Sequence, residues 1–210
     1  MSEEDPDLDA AYALKTPEDS KRLYADWATT YDSGFAQDMS YRLPRMVALV
    51  LAEVFQGPGP VLDVGAGTGL VAEAMKLREA PDVDALDISP EMLKVAEGKG
   101  LYRNYIVGDL TDRLDLADGT YGAVVSAGTF THGHVGPEAL VELLRVARRG
   151  AVFVLSVNAA HFETLGFAAT FEALGDRIEG LEMRAVDIYG PGADPAHADD
   201  QAQIVIFRKL

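Results

Sequence analysis

The sequence contains no cysteine. A disulfide framework, a thiolate nucleophile and a cysteine-ligated zinc site are therefore all excluded. Cations are scarce as well: 18 Lys plus Arg stand against 34 Asp plus Glu, a net charge of −16. Such a field repels nucleic-acid phosphates and anionic lipid, so no nucleic acid is expected as a partner. Long apolar runs are missing too. The stretch from Ala151 to Val157 falls far short of the roughly 20 residues a membrane-spanning helix needs. The opening MSEEDPDLDA lacks the basic and apolar regions of a signal peptide. A cytoplasmic protein without a membrane partner is the expectation. What is present is ordinary for a globular chain: 210 residues, 48% hydrophobic and 25% charged, ample for one domain with a continuous core.

Residues 1–15 read as a flexible acidic tail and 16–210 as a single domain. Within it, 16–58 read as an N-terminal helical cap and 59–210 as an α/β core. Thr16-Pro17-Glu18-Asp19 places a capping hydroxyl, a first-turn proline and two carboxylates in the order that starts a helix. Leu23, Tyr24, Trp27 and Tyr31 then recur at helical spacing as an aromatic stripe. A second helix is predicted over Tyr41 to Phe55, stopped by Gly57-Pro58-Gly59-Pro60. From Val61 the pattern alternates: strand 61–64, helix 70–78, strand 83–86, helix 90–97, strand 105–107, strand 123–126, helix 137–148, strand 151–157 and helix 162–174. Two further β-like runs follow, 181–188 and 204–208, with no helix between them. The alternation predicts a doubly wound, mostly parallel sheet, closed by an antiparallel pair. Arg145, Arg148 and Arg149 read as cations in the last turns of the helix before strand 151–157.

Chemistry concentrates at the carboxyl ends of the predicted strands, where doubly wound sheets bind ligands. Asp63-Val64-Gly65-Ala66-Gly67-Thr68-Gly69 ends the first strand, and its side-chain-free glycines allow a ligand to approach the backbone. Leu70 stands where a dinucleotide fingerprint wants its last glycine, so tight pyrophosphate packing is not the evident purpose. Asp87-Ile88-Ser89-Pro90 ends the second strand about 20 residues on, where an acid can accept two hydrogen bonds from a ribose diol. Asp84 competes for that role, but from inside the strand. Gly108-Asp109-Leu110 ends the third strand and offers a carboxylate to a base edge or to a turn. After the fourth strand, Ser126 to Gly136 should border cofactor and substrate. His132 and His134 there titrate near neutral pH and are candidates to take a proton. No metal site is expected, because His132, His134, His161 and His197 lie on separate elements without an acidic cluster.

Together these features resemble the class I methyltransferases that use S-adenosylmethionine. The likeness is nearest to the group that includes the Williams-Beuren syndrome region methyltransferase, through Asp87-Ile88-Ser89-Pro90-Glu91-Met92-Leu93, Gly128-Thr129-Phe130 and Gly133-His134-Val135-Gly136. The resemblance implies a seven-stranded Rossmann-like sheet under the helical cap, and transfer of a methyl group to an oxygen or nitrogen of a small molecule, leaving S-adenosylhomocysteine. It implies that Asp63 and the loop Gly65, Ala66, Gly67, Thr68 and Gly69 hold the methionine and ribose portions. Asp87, with Ile88, Ser89 and Met92, would take the ribose side, and Gly108, Asp109 and Leu110 the adenine. Ser126, Ala127, Gly128 and Phe130 would border the cofactor from the fourth strand, and Trp27 and Tyr31 from the cap. Tyr31-Asp32 fits the place of a Tyr-Asp pair near the methionine end. His134, His132 and Tyr31 are the catalytic candidates. The rivals are a nicotinamide-dependent oxidoreductase and a non-catalytic protein that binds S-adenosylmethionine. Oligomeric state is not legible.

Overall fold

In a computed structural model, which describes residues 8–14, 16–76, 82–131 and 135–210, the alternation becomes one seven-stranded sheet. Its strands are β1 Val61–Val64, β2 Val83–Asp87, β3 Asn104–Val107, β4 Tyr121–Phe130, β5 Ala147–Asn158, β6 Ile178–Asp187 and β7 Gln201–Lys209. They lie in the order β3-β2-β1-β4-β5-β7-β6. β1 to β5 pair in parallel, and β7 runs antiparallel between β5 and β6. The order reverses beside β1, which opens a crevice beyond the ends of β1, β2 and β4.

Helices α1 Leu8–Tyr12, α2 Pro17–Trp27, α3 Leu43–Val54, α4 Leu70–Lys76, α5 Pro90–Lys99, α6 Ala139–Val146, α7 Ala159–Thr164 and α8 Phe167–Leu174 cover the sheet. Because side chains alternate along a strand, Val152 and Val154 of β5 face one cluster, with Leu43, Val47 and Leu51 of α3. Phe153 and Leu155 face the other, with Leu140, Leu143 and Phe171. Phe153 stacks on Phe207 at 4.5 Å between ring centres.

Local signals placed most starts. Thr16 caps α2, its Oγ1 accepting from the Asp19 amide at 3.1 Å, and Ser89 caps α5 through the Met92 amide at 3.2 Å. Ends differ more. The helix expected over 162–174 breaks at Gly166, whose φ of 75° leaves α7 and α8 as separate pieces. The helix expected over 137–148 is only Ala139–Val146, because Ala147 pairs with Tyr121 and opens β5. Arg148 and Arg149 therefore belong to a strand rather than to the end of that helix, which corrects their reading as helix-terminal cations. Arg148 donates instead to the Pro58 and Gly59 carbonyls. Part of the expected tail is structured: α1 buries Ala11, and Tyr12 donates to Asp200 at 3.1 Å. Among the described residues no helix is long and apolar enough to cross a membrane.

Between α2 and α3 the chain passes through a π-helical turn, Asp32–Ala36, that carries the cap over the end of β1. A tether holds it there. Thr68 Oγ1 donates to Asp32 Oδ1 at 2.5 Å, and Lys99 Nζ reaches Asp32 Oδ2 at 2.5 Å and Glu73 at 3.1 Å. The ion pairs are partly solvated, so their contribution is modest. Asp32→Ala should cost about 1 kcal/mol of unfolding free energy. Hydrogen exchange should speed up in residues 28–36 and stay unchanged in β4 and β5; equal acceleration throughout would show that the tether is not local.

Candidate active site

The crevice is a cavity with about 960 Å³ of empty space, counting its open mouth. Its floor is the glycine loop: Gly65, Ala66, Gly67 and Thr68 all line it. At Gly65, φ is 63° and an added Cβ would lie 1.9 Å from Thr129 Oγ1, itself bonded to the Val64 carbonyl at 2.9 Å. Loop and β4 could not approach so closely with any side chain there. Gly65→Ala should therefore destabilise the fold by about 2 kcal/mol from left-handed backbone strain alone. Urea unfolding would show it, and a loss under 0.5 kcal/mol would contradict the packing described. At Gly67 a Cβ would meet nothing within 4 Å.

Two acids stand behind the loop. Asp87 lines the cavity with both oxygens held by backbone: Oδ2 accepts from the Gly67 amide at 2.7 Å and Oδ1 from the Ser89 amide at 2.9 Å. Each oxygen retains a second lone pair for a ligand. Burial pushes its pKa up, against the opposing pull of those amides. Asp63 is fully buried. Its Oδ2 accepts from the Tyr102 hydroxyl at 2.7 Å, while Oδ1 has no partner. Burial raises its pKa to about 7, the Tyr102 bond opposes the rise, and the charge of Asp87 adds to it. Asp84, the competitor read from the sequence, is occupied otherwise. Arg103 holds it at 2.8 and 2.9 Å, and Asn104 and Tyr121 also donate to it.

The structure brings Tyr31, Gly65, Ala66, Gly67, Thr68, Asp87, Ile88, Met92, Gly108, Asp109, Leu110, Ala127 and Gly128 onto the cavity wall. Six other residues read as cofactor contacts do not line it. Asp63 sits behind the loop, and Gly69 packs toward the Tyr102 ring, where a Cβ would lie at 3.1 Å. The Ser89 hydroxyl is used as the α5 cap, and Ser126 Oγ donates to the Val64 carbonyl at 2.8 Å. Trp27 and Phe130 line a neighbouring cavity instead. Asp109 combines both of its readings: Oδ1 accepts from the Thr111 amide and hydroxyl at 2.8 and 2.6 Å, and the residue also faces the cavity. His132 and His134 lie outside the described residues. Thr129 and Val135, inside the stretch expected to border cofactor and substrate, also line the wall; wall residues that the sequence reading missed include Pro17, Ser20 and Tyr41. Their only sequence signal is position near the starts of the cap helices.

The geometry makes a demand on the ligand. Burial raises both carboxylates toward their protonated forms and leaves one Asp63 oxygen without a partner, so a cationic ligand would be bound together with ionisation of this pair. The Gly67 amide, which a phosphate would seek, is already taken by Asp87. A pyrophosphate fits poorly here. S-Adenosylmethionine fits: it carries a ribose diol for Asp87, a sulfonium and an ammonium, and is a net cation.

A nucleoside crevice of this kind, on this strand order, defines the Rossmann-like methyltransferase fold. Residues 62–155 match the family described as methyltransferase domain. The chain is 31% identical to methyltransferase-like protein 27 of Homo sapiens over 178 residues, covering 83% of this chain and 71% of that one. It is 34% identical to demethylmenaquinone methyltransferase of Renibacterium salmoninarum over 143 residues, or 68% of this chain and 60% of the relative. Among solved structures, the [4+2]-cyclase SpnF shares the fold with a TM-score of 0.68 at 17% identity, over 93% of this chain and 97% of that one. The chain belongs to the class I S-adenosylmethionine-dependent methyltransferases, and S-adenosylmethionine is its cofactor.

Proposed function

We propose that this protein transfers the methyl group of S-adenosylmethionine to an oxygen or nitrogen of a small molecule in the cytoplasm. The observation that carries the small-molecule reading is the cavity wall. Pro17, Ser20 and Tyr24 of α2, with Tyr31 and Tyr41, line the cavity together with the glycine loop, a concave and largely apolar setting suited to a small guest. That one relative is named for demethylmenaquinone supports the same reading.

When bound, the cofactor supplies an electrophilic methyl carbon: an acceptor lone pair forms the new bond as the S–CH3 electron pair returns to sulfur, and the acceptor's proton departs. The chain's own residues position and exclude water. Asp87 would accept from the ribose hydroxyls through its free lone pairs, and Asp109, through Oδ2, from the adenine amine. Asp63, raised by burial to about 7, would ionise behind the loop as the cationic ligand binds. The cap tether through Asp32 and Lys99 would hold Tyr31 over the site, so that the reactants meet aligned and without competing water. Burial holds the Tyr24, Tyr31 and Tyr41 hydroxyls protonated, so Tyr31 would serve as a donor rather than as a base. The proton would pass to His134 or His132.

Calorimetric titration with S-adenosylmethionine, S-adenosylhomocysteine and NAD in parallel tests the assignment. Both adenosyl ligands should bind and NAD should not. Binding of NAD alone would overturn the reading of the two acids. Formation of S-adenosylhomocysteine only in the presence of small hydroxyl or amine acceptors would distinguish an enzyme from a binding protein.

A further inference from the structure

Beside the cofactor crevice lies a second cavity, with about 480 Å³ of empty space counting its open mouth, that the cofactor reading leaves unused. The two share Tyr24, Tyr31, Tyr41 and Gly128 as a common wall. Gly128 is what lets them meet: with φ at 86°, its missing Cβ would lie 2.4 Å from the Tyr41 hydroxyl. Beyond that wall stand Trp27, Phe35, Phe130 and Tyr189. Eight of the sixteen lining residues are aromatic, against 8% of the chain. Their rings form a connected set: Trp27 meets Tyr31 edge-on at 5.2 Å and Phe35 at 5.1 Å, and Phe35 meets Tyr41 at 5.5 Å and Tyr189 at 6.1 Å. No Asp, Glu, Lys, Arg or His is among its described lining residues.

We propose that this second cavity is the methyl-acceptor site and that it takes an uncharged, planar aromatic molecule bearing a hydroxyl or carbonyl oxygen. The inference rests on the cofactor occupying the first cavity, and it adds the class of acceptor. Faces and edges of the surrounding rings gain from an aromatic guest beyond its buried area. A charged guest would be desolvated with no counter-charge among the described lining residues. A few polar groups remain to orient the guest. Asn158 uses Oδ1 to cap α7 through the Ala160 and His161 amides, leaving its Nδ2 to donate. Ser156 accepts from the Gly128 amide at 3.0 Å and keeps its own proton. Such sparse, fixed polar groups in an apolar wall set orientation rather than bulk affinity.

The test uses the whole chain saturated with S-adenosylhomocysteine and three probes: 2-naphthol, 2-naphthalenesulfonate and cyclohexanol. 2-Naphthol should bind at least tenfold more tightly than either of the others and change the emission of Trp27, the chain's single tryptophan. Thr131→Phe, which fills this cavity alone, should weaken 2-naphthol at least tenfold while S-adenosylhomocysteine binds as before, which also shows that the variant folds. Equal binding of the sulfonate or of cyclohexanol would overturn the proposal, as would displacement of 2-naphthol by S-adenosylhomocysteine or a silent Trp27. Failure of S-adenosylhomocysteine to bind the parent would overturn the cofactor assignment instead.

Discussion

Asp87→Ala should lower the affinity for S-adenosylmethionine and S-adenosylhomocysteine by 100-fold or more. The carboxylate lines the cavity and is aimed by two backbone amides, Gly67 at 2.7 Å and Ser89 at 2.9 Å. Its remaining lone pairs would take two ligand hydroxyls. Hydrogen bonds to a charged group are each worth about 1.5–3 kcal/mol, so losing two removes about 3 kcal/mol or more, and each 1.4 kcal/mol is a factor of ten. The loop suffers as well, because the Gly67 amide loses its acceptor. Asp87→Asn should do nearly as badly: its one oxygen can satisfy only one of the two amides, and its NH2 would face the other donor. Asp84→Asn is the matched control. It breaks the Arg103 and Tyr121 contacts away from the cavity, so it should cost stability and leave affinity within threefold. If calorimetry shows Asp87→Ala binding within threefold of the parent, the ribose assignment fails.

The second large effect concerns Asp63 and has a defined pH signature. Its folded pKa is raised from 3.8 to about 7 by burial, so between those values the folded chain keeps a proton that the unfolded chain has released. Stability from this group is therefore fully present below pH 3.8 and is lost as pH rises through about 7. Between pH 5 and pH 8 the loss should approach about 3 kcal/mol. Asp63→Asn removes the titration and retains an oxygen for the Tyr102 hydroxyl. Relative to the parent, the ligand-free variant should gain about 3 kcal/mol in urea unfolding on going from pH 5 to pH 8. Ligand binding should show the reverse: a cationic ligand favours the ionised carboxylate, so parent affinity should climb with pH toward 8, and the variant should lose most of that climb. A variant whose stability tracks the parent at both pH values would remove Asp63 from this role. Its exchange of stability for ligand charge is what a buried, half-satisfied acid at a binding site implies.

The fold shared with a [4+2]-cyclase at 17% identity shows why neither prediction can be drawn from architecture alone. The same sheet can present different chemistry, and the site has to be argued from its own side chains.

Much of that site was legible in the sequence because its signals are local. A strand running into Gly65-Ala66-Gly67, and Ser89-Pro90 starting a helix after Asp87, are read within a few residues, where backbone geometry and capping act. The choice between Asp84 and Asp87 was legible in part. Three residues apart on one strand, they face opposite sides of the sheet, and only Asp87 stands at its end. From spacing alone the cap was legible as a helix, and only the resemblance placed it over the cofactor. The spacing of Leu23, Tyr24, Trp27 and Tyr31 shows a shared face without showing what that face meets. Trp27 was expected on the cofactor and lies on the neighbouring cavity. Tyr41 was counted only as the first residue of the second cap helix, yet it helps divide the two spaces.

By itself, then, the sequence determined the doubly wound class, the glycine loop between two acids, and the charge balance that disfavours nucleic acid, since each depends on residues close in the chain or on composition. Tertiary structure alone decided that Asp63 has an unpartnered oxygen, that Thr129 presses on Gly65, and that Tyr31, Tyr41, Gly128 and Tyr189 line a second cavity with no charged side chain among its described lining residues. Those contacts join residues far apart in the chain, and their geometry is set by the packing of the cap against β4 and the end of β6, which no local periodicity encodes.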